Sequence, residues 1–253
     1  MRKPLLLILF FLLASHTNIK AQNWGGGIDQ ESFNWGFSFQ YIASEFKIIR
    51  SPNWQDVFLD YEQNNRPITD KLNAINSPLS TGFGIGFVVN QRLNKNLDLR
   101  STPTLVFNDR LVDYQYELPS LYVPNDFTDG KTRQKIAATM VEFPLGVKLK
   151  SERRKDFRAY LLLGAKYSID LASGKKTNDM DKALIYKVLK NKKSFGSYEA
   201  GIGFDLYFEY FKMSPELKVS HSFGDVLKHE NHPFAAPIDK AILRNFTFSL
   251  FFE

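Results

Sequence analysis

Eight segments of this chain alternate apolar and polar side chains with a period of two. In residues 33–41 an aromatic side chain occupies every second position, and small or polar residues lie between them. Residues 81–89 repeat the pattern with glycines on the second face. A period of two is typical of a β-strand whose faces meet different surroundings. The other segments are residues 97–107, 139–149, 157–171, 198–208, 211–223 and 242–252.

The connections between these segments alternate strictly between long and short. Each segment is long enough to provide the roughly 9–11 residues of a tilted transmembrane strand. The pattern predicts an all-β fold: an eight-stranded antiparallel up-and-down transmembrane β-barrel with four long extracellular loops, short periplasmic turns and both termini in the periplasm. The expected loops are residues 46–79, 117–137, 172–197 and 224–241, and the expected turns are residues 94–96, 150–156 and 209–210.

The distribution of charge indicates which face meets lipid. The apolar faces carry a single charged residue, Arg244, whereas acids and bases are nearly balanced on the opposite faces. Because an ionised side chain facing hydrocarbon is costly, the charged faces are predicted to point inward and pair. An eight-stranded barrel is just wide enough for its own side chains, so we expect a filled interior without an open pore. The predicted interior ion-pair network is Asp98, Arg100, Glu142, Lys148, Lys166, Asp170, Glu199, Asp205, Glu216 and Lys218, beside Lys150, Arg158 and Lys212.

A soluble lipocalin-like barrel is the competing fold. It has the same strand number but turns its apolar face inward around a ligand. The sequence favours the membrane barrel because aromatic residues gather at the short-turn end, where such a barrel has an aromatic girdle. These residues are Phe157, Phe208, Tyr210, Phe211 and Phe252.

Three prolines fall inside the predicted strands: Pro103, Pro144 and Pro215. Proline has no N–H for the hydrogen-bond ladder, and a closed barrel has no edge where that loss is harmless. We therefore expect β-bulges at these positions.

The last predicted strand is the most aromatic part of the chain. Phe246, Phe248, Leu250 and Phe252 share the lipid-facing side, and Phe251 points inward. This strand is expected to pair with residues 33–41 and so close the barrel. It also resembles the C-terminal signal by which barrel-assembly machinery recognises its clients, which makes that machinery an expected partner during biogenesis.

The N-terminus has the layout of a secretory signal peptide. Arg2 and Lys3 precede an apolar run that is too short to span a membrane. We expect residues 1–21 to be removed, leaving residues 22–253 as one barrel domain in the outer membrane of a Gram-negative bacterium. Removal takes three cations and no acid and lowers the formal charge from +6 to +3. That charge gives no reason to propose a nucleic acid as partner. The chain contains no cysteine.

No catalytic, cofactor-binding or metal-binding residue is predicted. His229 and His232 flank an acid, but Pro233 follows at once and no third ligand is evident, so a solvated loop is the simpler interpretation. Residues 179–193 fit either a short amphipathic helix or a plain loop. Two alternatives stay open: a membrane-embedded barrel enzyme with a site in residues 224–241, and a structural or adhesin-like surface barrel. A passive channel is the least favoured.

Three stretches resemble the PorT family of outer-membrane β-barrel proteins. They are VEFPLGVKLKS at residues 141–151, FRAYLLLGAKYSIDLAS at residues 157–173 and GIGFDLYFEYFKMSPELKVSHSFGDVL at residues 201–227. The resemblance implies an integral outer-membrane protein needed for the type IX secretion system and, where present, for gliding motility. Its implied partners are outer-membrane lipid and other type IX secretion components, and it brings no catalytic residues.

Overall fold

The structure is a computed structural model that describes residues 31–61, 63–124, 127–171, 179 and 182–253. The predicted signal peptide at residues 1–21 lies outside them. The part of the chain that the structure describes contains two short 3₁₀ turns, at Thr128–Gly130 and Leu184–Tyr186. Within the described ranges, no helix has the length and apolar character needed to cross a membrane. The strands, in chain order, are β1 Phe33–Arg50, β2 Leu59–Asp60, β3 Arg66–Pro67, β4 Leu72–Asn76, β5 Ser80–Arg92, β6 Leu97–Ser101, β7 Thr104–Phe107, β8 Arg110–Tyr116, β9 Lys131–Ile136, β10 Thr139–Lys150, β11 Phe157–Asp170, β12 Lys190–Asn191, β13 Ser194–Tyr207, β14 Lys212–Ser222, β15 Leu227–Lys228 and β16 Ile238–Phe252.

The largest sheet closes on itself. Its order is β1-β16-β14-β13-β11-β10, then β6 with β7, then β5, which pairs again with β1. All of these pairings are antiparallel. Because β6 and β7 are two halves of one strand, the ring has eight strands. The predicted eight-stranded antiparallel up-and-down barrel is confirmed.

The apolar face of this ring points outward. Trp35 is 71% exposed and Phe87 is 67% exposed, whereas Ser38 and Lys148 are 0% exposed. The alternation seen in the sequence is thus an alternation between the outer wall and the barrel interior. A lipocalin-like arrangement, with the aromatic residues inside, is wrong for this chain.

The predicted β-bulges at Pro103, Pro144 and Pro215 are wrong. β6 ends at Ser101 and β7 begins at Thr104, yet both keep one register with β5 and with β10. Pro103 therefore lies in a gap between two halves of one strand, and Pro144 faces the same gap from β10. β14 likewise keeps one register with β13 on both sides of Pro215. Local interruptions of pairing, and not inserted residues, accommodate the missing N–H groups.

The long connections form a second layer at one end of the barrel. β4, β8 and β9 make a three-stranded sheet, β12 pairs with β15, and β2 pairs with β3. We call these strands and their connections the cap. The sequence prediction treated residues 46–79, 117–137, 172–197 and 224–241 as loops and assigned residues 110–116 to no strand, so it missed these strands, most of which are too short to show an extended period of two. The helix considered for residues 179–193 is also wrong, since the Leu184–Tyr186 turn leads into extended β12.

The apolar core of the molecule lies in the cap and the adjoining barrel end. Tyr114 packs edge-on against Phe234 with ring centroids 5.2 Å apart, and its hydroxyl donates to the Phe234 carbonyl at 2.6 Å. This packing covers the long-connection end of the barrel. The largest fully buried apolar side chains of this core are Tyr114, Phe234, Ile75, Met140, Leu189 and Leu227.

The seam between β1 and β16 leaves no space for a side chain at Gly36. A Cβ there would lie 2.0 Å from the main-chain oxygen of Phe252. Gly36→Ala should therefore push the seam apart and lower the free energy of unfolding by about 1–3 kcal/mol. Gly224→Ala is the matched control, because a Cβ at Gly224 has no atom within 4 Å. Urea unfolding in detergent micelles measures the free energy of unfolding of each variant. Equal stability of the two variants would contradict the seam geometry.

Candidate functional site

Arg100 is the centre of a buried polar cluster in the short-turn half of the barrel. Its Nη1 donates to Glu216 Oε2 at 3.0 Å, its Nε donates to Asn90 Oδ1 at 2.8 Å, and its Nη2 lies 3.4 Å from Glu253 Oε1. The Tyr160 hydroxyl donates to the same Glu216 oxygen at 3.0 Å. One guanidinium thus links side chains from several strands across the interior.

Lys148 forms a second link across the interior. Its Nζ lies 2.7 Å and 2.8 Å from the two carboxylate oxygens of Asp205, and 3.9 Å from the centroid of the Tyr160 ring. Ser214 donates its hydroxyl to Asp205 at 2.7 Å. The carboxylate is therefore fully occupied, as a buried charge requires.

All ten residues of the predicted interior network are buried inside the barrel. Ion pairs hold this network together, and the main-chain N–H of Asp170 adds a hydrogen bond to the Lys193 carbonyl at 2.7 Å. The pairs not described above are Lys150 with Asp98, Lys166 with Glu142 and Lys218 with Glu199.

Glu253 is the functional-site residue that the sequence prediction missed. Its carboxylate accepts from Lys212 Nζ at 2.6 Å and from Asn90 Nδ2 at 2.6 Å, besides contacting Arg100. The signal was present, because the same period of two that turns Phe251 inward also turns Glu253 inward. The acid closes the polar cluster at the short-turn end.

The arrangement leaves the interior occupied by paired charges. Removing two charges from water is costly, and burial of such a pair is sustained only by good geometry and additional hydrogen bonds. Both conditions hold around Lys148 and the Arg100 guanidinium, while Glu216 Oε1 is buried with no hydrogen-bond partner among the described residues. The charged groups of the interior are bound to one another, so contacts with other molecules involve the outer surfaces of the protein.

The last strand lies where the sequence predicted, paired with β1. Phe252 stacks on Phe37 with centroids 5.2 Å apart and lies 6.3 Å from Phe211. Phe248 and Phe246 are exposed on the outer wall, and Leu250 is half-buried there. Phe251 points inward, with the Arg100 guanidinium 4.7 Å from its ring centroid.

Asp70 organises an exposed part of the cap. Its carboxylate accepts from the main-chain N–H groups of Leu121, Tyr122 and Val123 and from the Ser120 hydroxyl. Burial raises the pKa of Asp70, but these hydrogen bonds outweigh it and hold the pKa below its ordinary value. The fixed loop displays Leu121, which is 77% exposed, and Tyr122, which is 47% exposed.

The two histidines of the 224–241 connection have different surroundings. His229 is exposed, and its Nε2 lies 3.1 Å from Asp225 Oδ2. His232 is 1% exposed, and its Nδ1 accepts from the Phe234 N–H at 3.3 Å. One imidazole belongs to the cap surface and the other to its core.

Lys148→Met should destabilise the protein by about 3–5 kcal/mol, because it leaves the Asp205 charge buried without its cation. Adding Asp205→Leu should restore much of the loss, since no charge then stays unpaired. Lys135→Met is the control, because its partner Asp109 is on an exposed surface and such pairs contribute little. Equal unfolding free energies for Lys148→Met and Lys135→Met, measured in urea, would contradict the account.

The cap should loosen as the pH falls from neutral to about 5. Burial lowers the pKa of His232 to about 4 from the ordinary value of 6.5. Between these two values the unfolded histidine binds a proton and the folded one does not, so acid lowers the stability of the cap. His232→Leu should abolish this step in hydrogen-exchange protection of cap amides, while His229→Leu should keep it. The same acid response in both variants would show that another group is responsible.

Comparison with known proteins finds a matching family model and similar solved structures. A family model described as "Outer membrane protein beta-barrel domain" matches residues 20–228. The outer membrane protein OprG from Pseudomonas aeruginosa is similar with 14% sequence identity and a TM-score of 0.38, covering 86% of this chain and 94% of OprG. Ail, the attachment invasion locus protein of Yersinia pestis, is similar with 11% identity and a TM-score of 0.33, covering 88% of this chain and 98% of Ail. No curated protein matches the sequence.

Proposed function

We propose that this chain, which belongs to the outer membrane protein beta-barrel domain family, is a non-enzymatic component of the type IX secretion system. In gliding bacteria it also serves gliding motility. Its short turns and both termini face the periplasm, and its cap faces outward.

The observation that carries the proposal is the filled interior. Arg100, Glu216 and Glu253 cross the short-turn half of the barrel, and Lys148 with Asp205 lies beside them. Secreted proteins therefore do not pass through this barrel, and it acts through contacts with other proteins. The secretion system itself is proposed because residues 141–151, 157–173 and 201–227 resemble the PorT family.

The loop fixed by Asp70 is the contact surface that we assign to a secretion partner. Leu121 and Tyr122 are apolar or aromatic, exposed, and held by main-chain hydrogen bonds, so they are presented with little entropy left to lose. Aromatic anchors of this kind contribute most to binding at protein interfaces.

Deleting the gene should leave secreted cargo inside the cell envelope, and the wild-type gene should restore export. A Leu121→Ser/Tyr122→Ser variant should insert into the outer membrane yet fail to restore export and lose its partner in gentle-detergent pull-downs. Tyr210→Ser, which removes an aromatic residue that is 84% exposed at the opposite end, should restore export. Normal export after gene deletion would contradict the proposed function.

A further inference from the structure

The outer wall of the barrel carries a groove of about 630 Å³. Tyr41, Phe246 and Phe248 line one edge of the groove, and Leu161 and Leu163 line the opposite edge. Its lining is almost entirely apolar. Since this wall faces lipid in a membrane barrel, an acyl chain is the molecule that fits the groove.

Small outward-facing residues explain why the outer surface of the barrel is recessed at this groove. On β1, β16, β14, β13 and β11, one cross-strand row of outward positions runs through Ala43, Phe246, Val219, Ala200 and Leu163. The two alanines lie among large neighbours, and each leaves a depression that a larger side chain would fill. The groove is therefore specified by the sequence on the outer face.

A polar row borders the groove on the side of the cap. The register places Glu45, Arg244, His221 and Tyr198 next to one another on four consecutive strands. His221 stacks on Tyr198 with ring centroids 5.6 Å apart and an interplanar angle of 13°. The apolar wall thus ends in a line of hydrogen-bonding groups.

The basic groups in and beside this row exceed the acidic ones. Arg244 Nη1 lies 3.1 Å from Glu45 Oε1, whereas its Nε is buried and has no hydrogen-bond partner in the part of the chain that the structure describes. Lys47 follows Glu45 on the same outward face of β1 and is exposed, and Lys240 precedes Arg244 by two outward positions on β16. Arg244, Lys47 and Lys240 are three cations against two carboxylates, Glu45 and the exposed Asp239 beside Lys240, and this excess attracts an anion at the edge of the hydrocarbon layer.

We propose that these features form a binding site for one anionic, phosphate-bearing lipid of the leaflet on the cap side. An acyl chain lies in the groove over Ala43 and Ala200, and the phosphate group contacts Arg244 and Lys47. This site lies on the opposite face of the wall from the interior ion pairs, and it is independent of the secretion role.

Native mass spectrometry of the detergent-purified protein tests the site with two probes, phosphatidylglycerol and phosphatidylcholine with identical chains. The wild type should retain one phosphatidylglycerol more tightly than phosphatidylcholine, and Arg244→Gln and Lys47→Gln should each weaken phosphatidylglycerol binding by about five-fold. Lys95→Gln, in a turn at the opposite end, is the charge-matched control and should bind like the wild type. Ala200→Trp should weaken both lipids, because it fills the groove.

Each variant is first shown to be folded by its heat-dependent gel shift. Equal affinities of the wild type for the two lipids, or undiminished phosphatidylglycerol binding in Arg244→Gln/Lys47→Gln, would overturn the proposal. A photo-crosslinker at Ala200 that captures protein in membranes, and no lipid, would also overturn it by showing a protein in the groove.

Discussion

The pairing of charges inside the barrel is the constraint on which the rest of the structure depends. Arg100, Lys148 and their carboxylates are withdrawn from water, so each needs a partner within hydrogen-bonding distance. Those partners come from different strands, and the strands must keep their register to bring them together. The same alternation that places charges inside places aromatic residues outside, where only a membrane can cover them. Interior pairing and membrane embedding are two consequences of one pattern.

The ends of the barrel are organised differently. At the short-turn end, Glu253 joins Lys212 and Arg100, and the stacked rings of Phe37 and Phe252 cover the seam outside. At the other end, an apolar core around Tyr114 and Phe234 holds the long connections together. Paired charges thus fill one half of the barrel, and an apolar core covers the other end.

Much of this could be predicted from the sequence, because a two-residue period is a local property that survives in every strand. The eight strands, their faces and the inward position of Phe251 follow from it. The cap did not follow, because β4 with β8 and β12 with β15 pair across long stretches of sequence, and the neighbouring β2 and β3 are too short to show a period. The prolines misled for a related reason. A β-bulge would accommodate each proline within its own strand, whereas Pro103 and Pro144 lie at one shared gap in the pairing of neighbouring strands. Which acid pairs with which base was likewise undetermined, because it depends on the register between strands.

The central claim is that paired side chains fill the barrel and leave no path for ions. Planar-bilayer recording of the purified, folded protein tests it most directly. The account predicts no steady conductance for the wild type. A stable, voltage-independent open channel in the wild type would contradict it.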